Sequence, residues 1–422
     1  MLYDKKLDRI WALSEALERN RKEIVRLAVE DLHFTVRNSA QEVDIVLDRL
    51  GMYREARGIL ENRVPLGGKG SRVSLMLSYN GSSWLNTAIT SLYMVGNGVN
   101  VRFSSKGRDV MEITERIYKP IFGEEITFHS ESGSEFLEKS LKDPMVSSIV
   151  VFGFDENIFP YEEKCRKNGK KLVFEGPGQD PFIVFADADM ELVFRDLMQA
   201  KFWYSGQTCT APKRIFVQRP VYDDFITSFA AKVRLLVVGD PRDEATDISP
   251  VASTLAVRRI AAQLEEARSM GVEIPVGGRI EGNLIYPTVV KNATDDMLGM
   301  KEEVFGPVAF TSCFDTAAEV LSRATNHKYG LRAAVFGGPE AERVAHALKG
   351  EDYAHSVPDY TFGKFGTVAL NETRSSSWRG AFVTKAIGGY GYSGWIWETA
   401  AGEFRIKQGP KLLSLETSIP GG

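Results

Sequence analysis

The sequence predicts an α/β protein made of two α/β domains. From residue 72 onwards, short apolar segments of strand length alternate with longer amphipathic segments of helix length. Alternation of this kind produces parallel βαβ units, with helices on both faces of an open sheet. The chain has 422 residues, and at about 150 residues per domain this length accommodates two or three domains with full hydrophobic cores.

The first 50 residues predict amphipathic helices that cover a larger body. Their apolar residues recur at spacings of three and four, which is the period of one helical face: Leu7, Ile10, Leu13, Leu17, Ile24, Leu27, Val43, Val46, Leu47 and Leu50. After a glycine-rich turn at 67–70, apolar and polar residues alternate. This alternation predicts a strand that begins at Arg72 and ends at 79–81.

The remaining elements continue the alternation. For the first domain we predict a helix through 110–117 and strands at 99–103, 126–128, 149–154 and 172–174. For the second domain we predict strands at 182–185 and 215–217 and helices at 190–203 and 222–237. A last strand at 404–415 is expected to extend from the body. Because open parallel sheets bind ligands at the carboxyl ends of their strands, we expect a binding site at such an edge.

Composition and charge exclude several classes of function. The chain has 52 basic and 56 acidic residues without long blocks of one sign, so neither nucleic acid nor an acidic membrane surface is expected as a partner. Its three cysteines form no CxxC pair, which argues against a disulfide framework or a metal site and suits a reducing compartment. The first ten residues lack an apolar signal core, and no apolar run reaches the roughly 18 residues of a membrane span, so we expect a cytoplasmic protein.

The most informative stretch is 202–214, which reads FWYSGQTCTAPKR. Cys209 follows Gly206 and Gln207 at the end of an apolar, helix-like run. A small side chain in this place can reach into a cleft, where its thiol can be made reactive. On these residues alone two interpretations stay open, a catalytic thiol and a small buried hydrophobic side chain.

The run from 173 to 217 resembles the catalytic region of the aldehyde dehydrogenase superfamily. In that superfamily a glycine turn containing a glutamate, here Glu175, precedes a Gly-Gln-x-Cys nucleophile motif, here ending at Cys209, at a similar interval. Three further blocks occur in the family's order: Ser-Tyr-Asn at 78–80, Glu-Glu-Val-Phe-Gly-Pro at 302–307 and Tyr-Gly-Leu at 329–331. Together the blocks cover most of the chain from about 70 to 398.

The resemblance implies a fold and an assembly. It implies a Rossmann-like cofactor domain (1–62 and 80–176), a second α/β domain that is catalytic (177–398), and small oligomerisation strands (63–79 and 399–422). Segments 72–77 and 404–415 are expected to be edge strands that need partners, in a homodimer or homotetramer.

The resemblance also implies NAD- or NADP-dependent oxidation of a small-molecule aldehyde to a carboxylate. Cys209 would be the nucleophile, the side-chain amide of Asn80 would hold the oxyanion, and Glu175 would be the base that hydrolyses the thioester. Glu303 would hold the nicotinamide ribose hydroxyls, with Phe305 near the ring. Without the family, Asn80 and Glu175 are ordinary turn residues and Glu303 is a surface charge.

The chain departs from the family pattern at the cofactor. Arg102 and Ser105 stand where the family usually has Lys-Pro-Ser-Glu, and Arg102 is predicted to contact the adenosine ribose or a phosphate. Because Ser105 replaces the acidic residue that repels a 2′-phosphate, and Lys106 is next to it, NADP is favoured over NAD. Gly153 is predicted to face the diphosphate, in Phe-Gly-Phe-Asp-Glu where the family has Thr-Gly-Ser.

These departures leave a second function open. The alternative is a non-redox family member, either a binding or structural protein or a thiol esterase, whose cofactor site is degraded. Acyl transfer to coenzyme A or phosphate is disfavoured because Glu175, the candidate deacylating base, is present.

Overall fold

Two sheets organise the protein in its computed structural model. The structure describes residues 2–80, 82–350, 364–374 and 379–421, and within these ranges the side chains of 82–85 are not described. The described strands form a seven-stranded sheet, named here the first sheet, and a six-stranded sheet, named the second sheet. Three two-stranded ribbons complete the described strands.

The strands are as follows: β1 Arg63–Pro65, β2 Arg72–Met76, β3 Gly98–Arg102, β4 Ile126–His129, β5 Val146–Phe152, β6 Lys171–Glu175, β7 Asp180–Val184, β8 Pro212–Gln218, β9 Ile280–Glu281, β10 Leu284–Ile285, β11 Thr288–Val290, β12 Val308–Phe314, β13 Tyr329–Gly330, β14 Arg332–Phe336, β15 Thr367–Leu370, β16 Tyr390–Gly391, β17 Gly394–Ala400, β18 Glu403–Gln408 and β19 Ser418–Pro420.

The described helices are as follows: α1 Leu2–Arg19, α2 Arg21–Leu32, α3 Val36–Gly51, α4 Arg57–Leu60, α5 Ser82–Met94, α6 Arg108–Phe122, α7 Gly133–Lys142, α8 Glu162–Lys167, α9 Met190–Phe202, α10 Arg219–Arg234, α11 Thr254–Ser269, α12 Leu298–Lys301, α13 Ala317–Thr325, α14 Pro339–Lys349 and α15 Leu413–Glu416. Among them, none combines the length and the apolar character that crossing a membrane requires.

The N-terminal helices cover one face of the first sheet, as their apolar spacing predicts. Ile10 and Leu13 are fully buried in the same apolar cluster as Val73 of strand β2. Helix α3 begins where the hydroxyl of Thr35 accepts a hydrogen bond from the backbone N–H of Asn38, which satisfies one of the free donors at a helix start. The predicted covering layer is therefore confirmed.

The first sheet has the order β18-β17-β6-β5-β2-β3-β4. Its strands β2 to β6 run parallel, with Leu75 of β2 paired to Val101 of β3 on one side and to Val150 of β5 on the other. The prediction that 72–77 is an edge strand is therefore wrong, because β2 has a neighbour on each side. Its polar Ser74 is also buried, and the Ser74 hydroxyl accepts a hydrogen bond of 2.7 Å from Ser140.

The chain returns to the first sheet near its C-terminus. Strand β17 pairs antiparallel with β6, and β18 pairs antiparallel with β17. The predicted domain boundary at residue 398 therefore falls inside strand β17. Trp395 and Trp397, before this boundary, are buried in an apolar cluster, and the residues after it continue the antiparallel pairing with β18. Of the predicted strand at 404–415, only β18 is a strand, at the edge of the sheet, and helix α15 occupies 413–416.

The second sheet is entirely parallel and has the order β11-β12-β8-β7-β14-β15. Phe182 of β7 pairs with Ile215 of β8 and with Ala334 of β14, and both faces are buried in apolar clusters. The carboxyl ends of β2, β5 and β6 in the first sheet face the amino ends of β8 and β14 in the second, because residues at these ends or directly next to them line one cavity. This junction positions the site.

Candidate active site

A cavity of about 320 Å³ lies between the two sheets. Asn80, Glu175, Cys209 and Glu303, which are far apart in the sequence, all lie on its wall. Gly153 and Phe305, predicted for the cofactor, also line it. The structure therefore brings together six of the eight site residues predicted from the sequence. The rest of the cavity wall is mainly aromatic and aliphatic.

A sharp backbone turn presents Cys209 to this cavity. After helix α9, Tyr204 and Ser205 have left-handed backbone angles, with φ of 51° and 53°. Such angles are strained for bulky residues and cluster at functional sites. Contacts from remote segments hold the turn: the Tyr204 N–H donates to Asn38 Oδ1 at 3.1 Å, and Gln207 Oε1 accepts from the Ala252 N–H at 2.9 Å.

The thiol of Cys209 lies among charged groups. Burial raises its pKa to about 11, and the nearby cations Lys213 and Arg374 act in the opposite direction. Lys213 is fully buried, and its Nζ donates to the backbone oxygens of Thr208, at 3.1 Å, and of Cys209. Hydrogen bonds from a buried lysine thus fix the backbone of the loop that carries the thiol.

Glu175 ends strand β6 and forms a buried ion pair. Its Oε1 lies 3.2 Å from Nζ of Lys411, and the side chains of both residues are almost fully enclosed. Burial raises the pKa of Glu175, while Lys411 lowers it. Gly388 lies against the carboxylate, where a Cβ atom would be 2.4 Å from Oε1. The carboxylate is therefore a buried, cation-paired group on the cavity wall, and the interpretation as a solvated turn residue is excluded.

Glu303 is also buried, which excludes the interpretation as a surface charge. Its Oε1 accepts a hydrogen bond of 3.3 Å from the Gly178 N–H and lies 3.8 Å from Nζ of Lys213. Burial raises the pKa of Glu303 to about 7, against the effect of Lys213. This carboxyl therefore titrates near neutral pH.

Short helical turns follow strand β5. They are two one-turn 3₁₀ helices, Asp155–Asn157 and Phe159–Tyr161. Oδ1 of Asp155 accepts a hydrogen bond of 3.2 Å from the Tyr329 hydroxyl. Arg259 lies 5.2 Å from the ring centre of Phe154 and 3.5 Å from the Glu156 carboxylate. The segment is thus tied to the second half of the molecule.

Arg102 and Ser105 are not among the residues that line the cavity. They lie at and just beyond the carboxyl end of β3, where Arg102 is half-buried and donates to the backbone oxygen of Glu131 at 3.2 Å. Ser105 is exposed, and Nζ of the neighbouring Lys106 donates to the Ala252 oxygen at 3.0 Å. Their predicted contacts with the adenosine end of a cofactor stay predictions.

Sequence reasoning missed three cations at the site, Lys213, Arg374 and Lys411. Lys213 carried a local signal, because it lies with Arg214 directly before the apolar run of strand β8. No periodic pattern in the sequence marks Arg374 or Lys411, and their meaning depends on tertiary contacts.

Comparison with known proteins identifies the family. The family model described as "Aldehyde dehydrogenase family" matches residues 125–395, more than half of the chain. The chain belongs to the aldehyde dehydrogenase family. This aldehyde dehydrogenase family member is 38% identical over 188 residues to a betaine aldehyde dehydrogenase of Sinorhizobium fredii, an alignment that covers 43% of this chain and 39% of the relative. It is 27% identical over 349 residues to a D-glyceraldehyde dehydrogenase (NADP(+)) of Thermoplasma acidophilum, covering 78% of this chain and 70% of the relative.

Solved structures share the fold of this aldehyde dehydrogenase family member. A betaine aldehyde dehydrogenase of Staphylococcus aureus in complex with NAD⁺ has a TM-score of 0.82 at 23% identity, covering 99% of this chain and 82% of the other. An aldehyde dehydrogenase of Brucella melitensis has a TM-score of 0.84 at 22% identity, covering 99% and 84%. The predicted α/β fold with a Rossmann-like part is therefore confirmed. The chain spans only 39% of the length of the first curated relatives that it matches.

Proposed function

We propose that this aldehyde dehydrogenase family member oxidises an aldehyde to a carboxylate, with NAD or NADP as the hydride acceptor. The observation that carries the proposal is the convergence of Cys209, Asn80, Glu175 and Glu303 on one cavity. These residues provide a thiol, an amide donor and two buried carboxyls, which are the groups that such a reaction needs.

The cavity wall fits the nicotinamide end of the cofactor. Glu303 is buried there with a carboxylate that can accept ribose hydroxyls, and Phe305 offers an aromatic face beside it. Gly153 would approach the diphosphate, and Arg102 and Ser105 the adenosine ribose. When bound, the oxidised nicotinamide ring accepts a hydride. The relatives that carry NADP(+) or NAD⁺ in their names support this class of cofactor, and Ser105 beside Lys106 favours NADP.

Cys209 acts first in the proposed mechanism. Its thiolate attacks the aldehyde carbon, and the carbonyl electron pair moves to oxygen, which gives a thiohemiacetal oxyanion. The side-chain amide of Asn80 and the backbone N–H of Cys209 donate hydrogen bonds to that oxyanion. The oxyanion then re-forms the carbonyl as the hydride leaves, and a thioester on Cys209 remains.

Glu175 acts in the second half. Its carboxylate accepts a proton from water, the resulting hydroxide attacks the thioester, and the carboxylate product leaves as the thiol re-forms. Only the ionised form of Glu175 serves as this base. Burial disfavours ionisation, and the cation of Lys411 at 3.2 Å opposes that effect in favour of the form that the reaction needs.

The assembly that we propose is a homodimer or homotetramer. Strand β18 lies at the edge of the first sheet with Ile406 56% exposed, and an open edge of this kind accepts another strand. Light scattering on the purified protein measures the molar mass directly, and a monomer at all concentrations would contradict the proposal.

A panel of aldehydes tests the activity. With NAD or NADP, aldehyde-dependent growth of absorbance at the reduced-nicotinamide band is expected, and Cys209→Ala should abolish it. Failure of every aldehyde in a broad panel with both cofactors would refute the proposed oxidation.

One observation favours a second candidate, a non-redox member of the family that acts as a binding or structural protein or hydrolyses esters through its thiol. Phe154 and two acids, Asp155 and Glu156, occupy the segment where a diphosphate is expected. Carboxylates repel a diphosphate. Calorimetric titration with NAD and NADP separates the two candidates, because micromolar binding of either excludes the second.

A further inference from the structure

Arg374 lies directly beneath the nucleophile loop, although it is far from Cys209 in the sequence. It follows strand β15 and is 1% exposed. Its Nη1 donates to the Ala200 oxygen at 2.8 Å at the end of helix α9, and its backbone N–H donates to Asp196 Oδ1. These contacts fix the guanidinium against the helix that leads into the loop.

The other half of the guanidinium contacts the loop itself. Nη2 donates to the hydroxyl of Thr208 at 3.2 Å and to the hydroxyl of Thr210. These two threonines flank Cys209 on either side. Lys213 holds the backbone oxygens of the same loop, so the main chain and the side chains are held by separate cations. The planar guanidinium joins the end of helix α9, through Nη1, to both threonines, through Nη2, in one fixed geometry.

We propose that Arg374 is a positioning residue for Cys209, which clamps Thr208 and Thr210 and supplies positive charge that stabilises the thiolate. The inference rests on the proposed role of Cys209 as nucleophile. The charged groups that face the thiol are Lys213, Arg374, Glu303 and Asp180. The two cations favour the thiolate and the two carboxyls oppose it, so removal of Arg374 shifts the balance towards the neutral thiol.

The test measures the thiol rather than aldehyde oxidation. Alkylation of Cys209 by iodoacetamide is followed as a function of pH by mass spectrometry of the peptide that contains it, in the full-length protein. In Arg374→Gln we expect the midpoint of the rate profile to move to higher pH by up to about one unit, because an opposite charge is lost near the thiol. At a pH below both midpoints this corresponds to alkylation that is slower by up to about tenfold.

Two further variants separate charge from position. Arg374→Lys retains the charge, so the midpoint of its alkylation profile should stay near that of the wild-type protein while turnover falls. Thr210→Val removes one clamped hydroxyl without a change of charge and should do the same. If Arg374→Gln does not fold, these two variants still test the clamp, and unchanged turnover in both would overturn it.

Arg214→Gln is the matched control. Arg214 is also a buried arginine, and it donates to the backbone oxygens of Gln179, Arg323 and Ala324 at 2.9, 3.1 and 2.9 Å. Its loss should lower stability without a shift in the midpoint. If the midpoint of the alkylation profile is the same in Arg374→Gln and in the wild-type protein, the inference is overturned even if aldehyde oxidation is observed. A shifted midpoint without any aldehyde oxidation would support the inference and refute the proposed function instead.

Discussion

Replacement of Lys411 by methionine tests the proposed base most directly. Met has a similar length and no charge, so the change removes the cation that lies 3.2 Å from Glu175 and retains most of the packing. At an effective dielectric constant of about 20, this separation corresponds to a gross attraction of about 5 kcal/mol. Neighbouring opposite charges lower the pKa of a carboxyl by about 1–3 units in proteins.

The direction of the expected pKa change follows from the burial of Glu175. Burial raises the pKa of this carboxyl and Lys411 lowers it, so Lys411→Met leaves the raising effect unopposed. Deacylation needs the ionised carboxylate, and its acid limb should therefore move to higher pH by about 1–3 units. On that limb, kcat should fall by about tenfold to a thousandfold.

Stopped-flow absorbance measures both halves of the reaction. In Lys411→Met we expect a rapid burst of reduced nicotinamide close to one equivalent per site, followed by slow turnover, because only deacylation is impaired. Lys411→Arg should preserve the pH profile since the charge remains. Lys170→Met is the matched control, because Lys170 is also buried and its Nζ donates to the Asp143 and Val146 oxygens, both at 2.6 Å, away from the cavity. An unchanged pH profile of kcat in Lys411→Met would refute the reasoning.

Three further predictions concern Asn80, Glu303 and Gly206. Asn80→Ala should lower kcat by about a hundredfold to a thousandfold with a smaller effect on KM, measured by steady-state kinetics, and a KM effect alone would contradict its oxyanion role. Glu303 has a pKa raised from 4.5 to about 7, so its contribution to stability is present below about pH 4.5 and lost as pH rises through 7. Relative to the unmodified protein, Glu303→Gln should therefore gain about 3 kcal/mol in free energy of unfolding between pH 4.5 and 8, measured by urea titration, and a pH-independent difference would contradict this. Gly206→Ala should destabilise the fold by about 1–3 kcal/mol or more, measured by thermal unfolding, since Gly206 has φ of 74° and a Cβ would lie 2.2 Å from the Gly306 oxygen; an unchanged melting temperature would show that the loop relaxes.

Local pattern predicted most of the elements because each strand and helix buries its own periodic face. The strand predicted at 99–103 is Gly98–Arg102, and the helix predicted at 190–203 is Met190–Phe202. The pairing of strands was harder to predict, because strands that pair but lie far apart in the sequence share no local sequence pattern. Strand β2 lies inside the first sheet and β17 returns to it from near the C-terminus, whereas the sequence analysis assigned 72–77 to an edge and ended the catalytic domain within β17.

The same distinction applies to the site. Residues in glycine-rich turns with a reactive side chain, such as Glu175 and Cys209, are visible in the sequence because the turn and the chemical group occur together. Lys411 and Arg374 come from segments far from Glu175 and Cys209 in the sequence, and no local feature marks either cation as a neighbour of a proposed catalytic group.

Electrostatics nevertheless explains why such cations are required. Burial raises the pKa of Cys209, Glu175 and Glu303 alike, which disfavours the thiolate and the carboxylates. A water-excluding cavity strengthens hydrogen bonds to an oxyanion, yet it suppresses the anionic nucleophile and base that the proposed reaction needs at neutral pH. A buried cation beside each group opposes this effect of burial without opening the cavity to water: Lys411 faces Glu175, Lys213 faces Glu303, and Arg374 with Lys213 faces Cys209. A buried catalytic anion therefore predicts a buried cation from elsewhere in the chain, even where the sequence does not show which residue provides it.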